Sequence, residues 1–122
     1  MNLLPSSTPK HCFQCGGSTS RFKTSANNPN GNAGRPYNMC LHCNKFLGFD
    51  DQRGNHLSNP ECHCGTPSKM QATGKTAAAP LALHFVCRLG ECDFFSRGVG
   101  KNGRTAHVRP EMVNILAKAG FI

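Results

Sequence analysis

Eight cysteines in two clusters are the residues of this sequence best suited to chemistry. Cys12 and Cys15 form one close pair, and Cys40 and Cys43 form a second after residues 16–39. Cys62 and Cys64, followed after residues 65–86 by Cys87 and Cys92, share that layout with looser pairs. A close pair grips one side of a tetrahedral ion and the distant pair closes the other, which is the spacing of structural Zn²⁺ sites. The expectation is two Cys₄ centres and two Zn²⁺ per chain, with metal ligands Cys12, Cys15, Cys40, Cys43, Cys62, Cys64, Cys87 and Cys92. Four thiolates leave no open position for water, so a catalytic zinc is not expected. His11, His42 and His63 adjoin ligand cysteines. Each is read first as an exposed neighbour or as a hydrogen-bond donor behind the ligands, and His63, wedged between Cys62 and Cys64, is the best alternative ligand.

The same eight thiols could instead form four disulfides, and the compartment decides between the two. Met1 to Lys10 offers only Leu3 and Leu4 before Pro5, Ser6 and Ser7, too little for a secretory h-region. The expected location is therefore intracellular, with reduced thiols, no membrane span and no lipidation motif.

The elements that must position the sulfurs are short. Gly16 and Gly65 trail the first pair of each cluster, where a tight turn aims two sulfurs at one ion. Strands are expected at Arg21 to Ser25, Tyr37 to Cys40 and Phe46 to Phe49, with a turn over Asn27 to Gly34. In the second module they are expected at Leu81 to Cys87 and Cys92 to Phe95. The linker, Asp50 to Pro60, is short enough that packed modules are expected. Residues Arg97 to Arg109 read as a solvated basic linker. Pro110 then opens a helix that Gly120 stops, with Met112, Val113, Ile115, Leu116 and Ala119 as its apolar face. That face is expected to dock on module two; the alternative is a partner-binding helix. The fold class is thus small, metal-stabilised and mostly β. It comprises tandem zinc-ribbon-like modules of short antiparallel strands over 10–50 and 60–97, with a basic linker and C-terminal helix over 98–122.

The totals fit this plan. Only 38% of the 122 residues are hydrophobic and none is Trp, so a large apolar core is not expected. The formal charge is +8. Eight thiolates and two divalent ions together remove four of those charges, leaving about +4. A basic surface suits an anionic partner.

These residues resemble the GRF-type zinc finger family. The resemblance rests on Cys12 and Cys15-Gly16, Thr24-Ser25, Asn27-Asn28, the run Gly31-Asn32-Ala33-Gly34-Arg35-Pro36-Tyr37, Cys40, and Cys43 with Phe46 and Phe49. Module two is similar in its cysteine frame, Gly65 and Cys92-Asp93-Phe94-Phe95. It lacks the Gly-Arg segment and looks like a degenerate finger. The whole resembles small fungal tandem proteins of the family. What the resemblance implies is single-stranded nucleic-acid binding in a basic, aromatic claw, with Arg35 and Tyr37 matching the motif. The family's usual Trp after the last Cys is absent.

The residues support a similar surface. Arg21, Lys23, Arg35 and Lys45 interleave with Phe22, Tyr37, Phe46 and Phe49, supplying cations for phosphates and rings for bases. Phe22 and Phe46 are expected in the core, and Arg35 has a structural alternative near the metal knuckle. The candidate nucleic-acid contacts are Arg21, Lys23, Arg35, Tyr37, Lys45 and Phe49. Thr73-Gly74-Lys75-Thr76 is not a phosphate loop, because Lys69 stands where the earlier Gly is required. No nucleophilic triad is apparent, and no enzyme is expected. The expected function is a zinc protein that binds single-stranded DNA or RNA mainly through finger one, in the nucleus. Its alternative is a protein-interaction adaptor whose fingers only shape a docking surface.

Overall fold

The computed structural model describes residues 11–122. The reading of Met1 to Lys10 and the start of module one at 10 lie outside the described residues. Module one is a three-stranded antiparallel sheet of β1 (Thr19–Lys23), β2 (Pro36–Cys40) and β3 (Lys45–Phe49), in that order. Register pairs Phe22 with Tyr37 and Tyr37 with Phe49, and a bulge at Asn38/Met39 shifts Met39 opposite Phe46. Module two is a second antiparallel sheet of β4 (Lys69–Ala72), β5 (Leu83–Val86) and β6 (Phe95–Arg97). A 3₁₀ turn at Pro110–Met112 leads into α1 (Val113–Lys118). Among the described residues no helix is long and apolar enough to cross a membrane.

β2 and β3 fall where alternation places them. β1 starts earlier than expected and stops at Lys23, because Ser25 Oγ accepts from Asn27 N–H at 3.2 Å and opens the turn. β4 has no counterpart among the expected strands; Lys-Met-Gln-Ala contains no β-branched or aromatic residue to mark it. The last strand begins only at Phe95, since Cys92 closes the metal knuckle first.

The stretch 97–109 is not simply a solvated linker. Leu83 N–H donates to Ala106 O and Val108 N–H to Leu81 O, both at 2.8 Å, and Val108 is buried. Lys101 to Arg104 form a continuous exposed tip, and Arg97, Val99, His107 and Arg109 are exposed beside it. Leu81, Val108, Val113 and Ile122 form the main core, with Met70, Leu83, Met112 and Leu116 packed on it. The C-terminal helix therefore docks on module two, although two residues of its expected apolar face, Ile115 at 58% and Ala119, are exposed. Module one has a smaller core of Cys12, Cys40 and Leu47.

The linker is part of the structure. Gly54 N–H donates to Gly120 O and Met70 N–H to Gly54 O, each at 2.9 Å. Gly31 of the first module lies against Val113 of α1, and Gly90 of the second lies against Leu47 of β3. The modules pack together, as the short connection predicts.

Candidate metal centres and the aromatic face

Each module gathers its four sulfurs into one cluster: Cys12, Cys15, Cys40 and Cys43, and Cys62, Cys64, Cys87 and Cys92, with all Sγ atoms of a cluster within 4.8 Å of one another. A tetrahedral shell with Zn–S near 2.3 Å implies sulfurs roughly 3.8 Å apart. Cys12 and Cys43 Sγ are 3.7 Å apart, and Cys15 and Cys40 Sγ are 3.4 Å apart. Burial runs alike in both clusters: the first and third sulfurs are buried, the second is exposed and the fourth is intermediate.

The backbone is shaped for thiolates. Gly16 (φ 75°) and Gly65 (φ 79°) adopt the left-handed conformation and donate N–H to Cys12 O and Cys62 O, at 2.8 and 3.0 Å. Amides are aimed at sulfur in both modules: Gln14 N–H on Cys12, Gly17 N–H on Cys15, Cys64 N–H on Cys62 and Glu91 N–H on Cys87, at 3.3–3.4 Å. The Cys43 amide brings the Cys40 thiol down to about 7. Desolvation and the sulfurs of Cys15, Cys40 and Cys12 push Cys43 up to about 12. In module two desolvation raises the Cys62 thiol, but the Thr66 hydroxyl and nearby amides outweigh it and bring Cys62 to about 6. Desolvation and Cys92 push Cys64 to about 12. Four adjacent sulfurs cannot all ionise without a cation among them, which a bound Zn²⁺ would supply. The donor set fits zinc, whose role there is to cross-link the fold. His63 is not in the ligand cluster: it lies edge-on to Phe94, with Nε2 3.5 Å from Asp93 Oδ1.

The fold and site define a zinc-binding protein with two ribbon-like Cys₄ modules. Residues 9–53, which take in the first module, match the family of the GRF-like zinc ribbon domain. The second cluster lies beyond the matched segment, consistent with a tandem arrangement. No curated protein and no solved structure matches the chain.

The remaining site residues divide. Phe22 and Tyr37 stack at 5.7 Å, Tyr37 and Phe46 are 5.7 Å apart, and Phe46 meets Phe49 edge-on at 5.2 Å. This ladder crosses all three strands of module one. Phe22 and Phe46 were expected in the core but are 38% and 41% exposed; the buried positions of β2 and β3 are Asn38, Cys40, Leu47 and Gly48 instead. Arg21 is half exposed with its Nε 2.9 Å from Asp50 Oδ2, and Lys23 is exposed. Together with Phe22, Gly34 and Pro36 they line a hollow of about 430 Å³. Lys45 Nζ lies 5.7 Å from the Phe13 ring centre.

Arg35 is buried behind that surface and is 4% exposed. Its Nε and Nη2 donate to the two oxygens of Asp51 at 2.7 and 3.0 Å, and Nη1 donates to Asn32 Oδ1 at 3.0 Å. Its guanidinium carbon sits 3.9 Å from the centre of the Phe49 ring, covering one side of it. The candidate nucleic-acid role of Arg35 is thus corrected to a structural one, and its partners are the side chains of Asp51, Asn32 and Phe49 rather than groups of the metal knuckle. The surface that sequence reasoning missed comprises Phe13 and the exposed Phe22 and Phe46. The signal available for Phe22 was its place opposite Tyr37, which appears only once the register is known.

Proposed function

We propose that this zinc protein binds single-stranded nucleic acid on the aromatic face of module one. The observation that carries the reading is the ladder Phe22–Tyr37–Phe46–Phe49, partly open to solvent, with Arg21 and Lys23 alternating with Phe22 along β1 and sharing a hollow with it, and Lys45 next to Phe46 in β3. In so small a module, exposed rings in contact with one another form an apolar patch that a stacking partner would cover. Bases stack on such rings whatever their sequence, and the cations track phosphates in a salt-dependent way. In this reading the chain is a binding protein and not an enzyme, since all eight sulfurs serve as ligands. Arg35 acts indirectly, by holding Phe49 in place.

The test is a fluorescence-anisotropy titration with labelled single-stranded oligonucleotide at two salt concentrations. The expected result is binding that weakens with salt and falls roughly tenfold or more in Tyr37→Ala, as loss of a stacked base predicts. No binding at low salt, or binding indifferent to both changes, contradicts the reading and favours a protein-interaction adaptor.

A further inference from the structure

A groove of about 160 Å³ lies between the two modules. Phe13 and Phe46 of module one and Phe95 of module two are among its walls, with Lys45 and Asp93 also lining it. Phe46 belongs both to this groove and to the aromatic ladder, so the two surfaces are continuous. Across the groove Phe95 is 63% exposed and stacks on His84, with ring centres 5.4 Å apart and planes 24° apart. A large ring held flat against a histidine and left open to water contributes little to a core and offers a ready platform.

Building on the reading above, we infer that this groove receives one unstacked base of the bound strand, so that the nucleic-acid path crosses from module one onto module two. The volume is below the range of drug-sized ligand sites and matches a single planar ring system. The walls are aromatic, which suits a base face. The polar groups select base over phosphate. The Asp93 carboxylate, 79% exposed, repels an anion and accepts hydrogen bonds, as the exocyclic amine of cytosine, adenine or guanine requires. Lys45 at the same groove supplies a cation for the adjoining phosphate.

The experiment compares oligodeoxycytidine of about four and about ten nucleotides, lengths that bracket small and extended single-strand footprints. Wild type, Tyr37→Ala and Phe95→Ala are titrated, with zinc content checked in each. The expected result is that Phe95→Ala weakens the longer oligomer roughly tenfold and leaves the shorter one unchanged, as loss of one stacked base predicts. Tyr37→Ala weakens both. Full affinity of zinc-loaded Phe95→Ala for both lengths overturns the crossing path while leaving the module-one reading intact. Failure of the wild type to bind either length overturns both.

Discussion

The ammonium of Lys69 lies 3.0 Å from Asp51 Oδ1 and 2.7 Å from the main-chain oxygen of the same residue, although Lys69 is only 1% exposed. A third bond, at 2.7 Å, runs to Arg53 O. On its other side the Asp51 carboxylate takes the fork of Arg35. One carboxylate between the modules therefore joins a cation from β2's approach to a cation at the start of β4. Arg35 belongs to the segment that resembles a nucleic-acid motif, yet its geometry makes it a strut.

Breaking that strut leaves two buried cations without their shared anion, which costs roughly 3–5 kcal/mol for an interior pair. Asp51→Ala should lower stability by about that amount in urea unfolding of the zinc-loaded protein. Arg21→Ala removes an ion pair whose arginine is half exposed, and should cost about 1 kcal/mol or less. Equal effects of the two substitutions would show that Asp51 does not tie the modules together.

The strut also sets a pH dependence. Desolvation lowers Lys69 to about 8 from its ordinary 10.5, and Asp51 only partly opposes it. Between those values the unfolded chain binds more protons, so the contribution of Lys69 makes stability rise as pH climbs from about 8 towards 10.5. For Asp51, burial raises the carboxyl but Arg35 and Lys69 outweigh it and hold it below its ordinary value. Its contribution is present above that ordinary value and is lost as pH falls through the folded value. Urea titrations at stepped alkaline pH should show a rise in wild type that is absent in Lys69→Met. An identical slope in both proteins would remove Lys69 as the cause.

Gly54 (φ 78°) is a backbone crossing point, where an added Cβ would collide with the carbonyl oxygen of Met70. Gly54→Ala combines left-handed strain with a main-chain clash and should destabilise by more than about 1 kcal/mol. Gly65→Ala (φ 79°) meets nothing within 4 Å and should show the conformational cost alone. Thermal unfolding of the two variants should therefore rank Gly54→Ala as the less stable.

The metal frame was legible because ligand spacing is local: Cys12 to Cys43 and Cys62 to Cys92 each announce a tetrahedral site in the order of their cysteines. β2, β3 and the docked helix followed from alternation, Pro110 and Gly120. The strut was not legible, since Asp51 and Lys69 lie in a stretch read as linker and a strand with no β signature, and only tertiary packing brings them to Arg35. The exposure of Phe22 and Phe46 was misjudged for a related reason. With sulfurs and metal closing each interior, a module this small has less need of its rings inside, and the register sends them to the outer face.

The fold rests on two Cys₄ centres, and native mass spectrometry before and after chelation tests this directly. The account predicts a folded polypeptide carrying two Zn²⁺ ions, which loses its compact charge-state distribution when they are stripped. A metal-free polypeptide that keeps that distribution, with thiols free or oxidised, would contradict it.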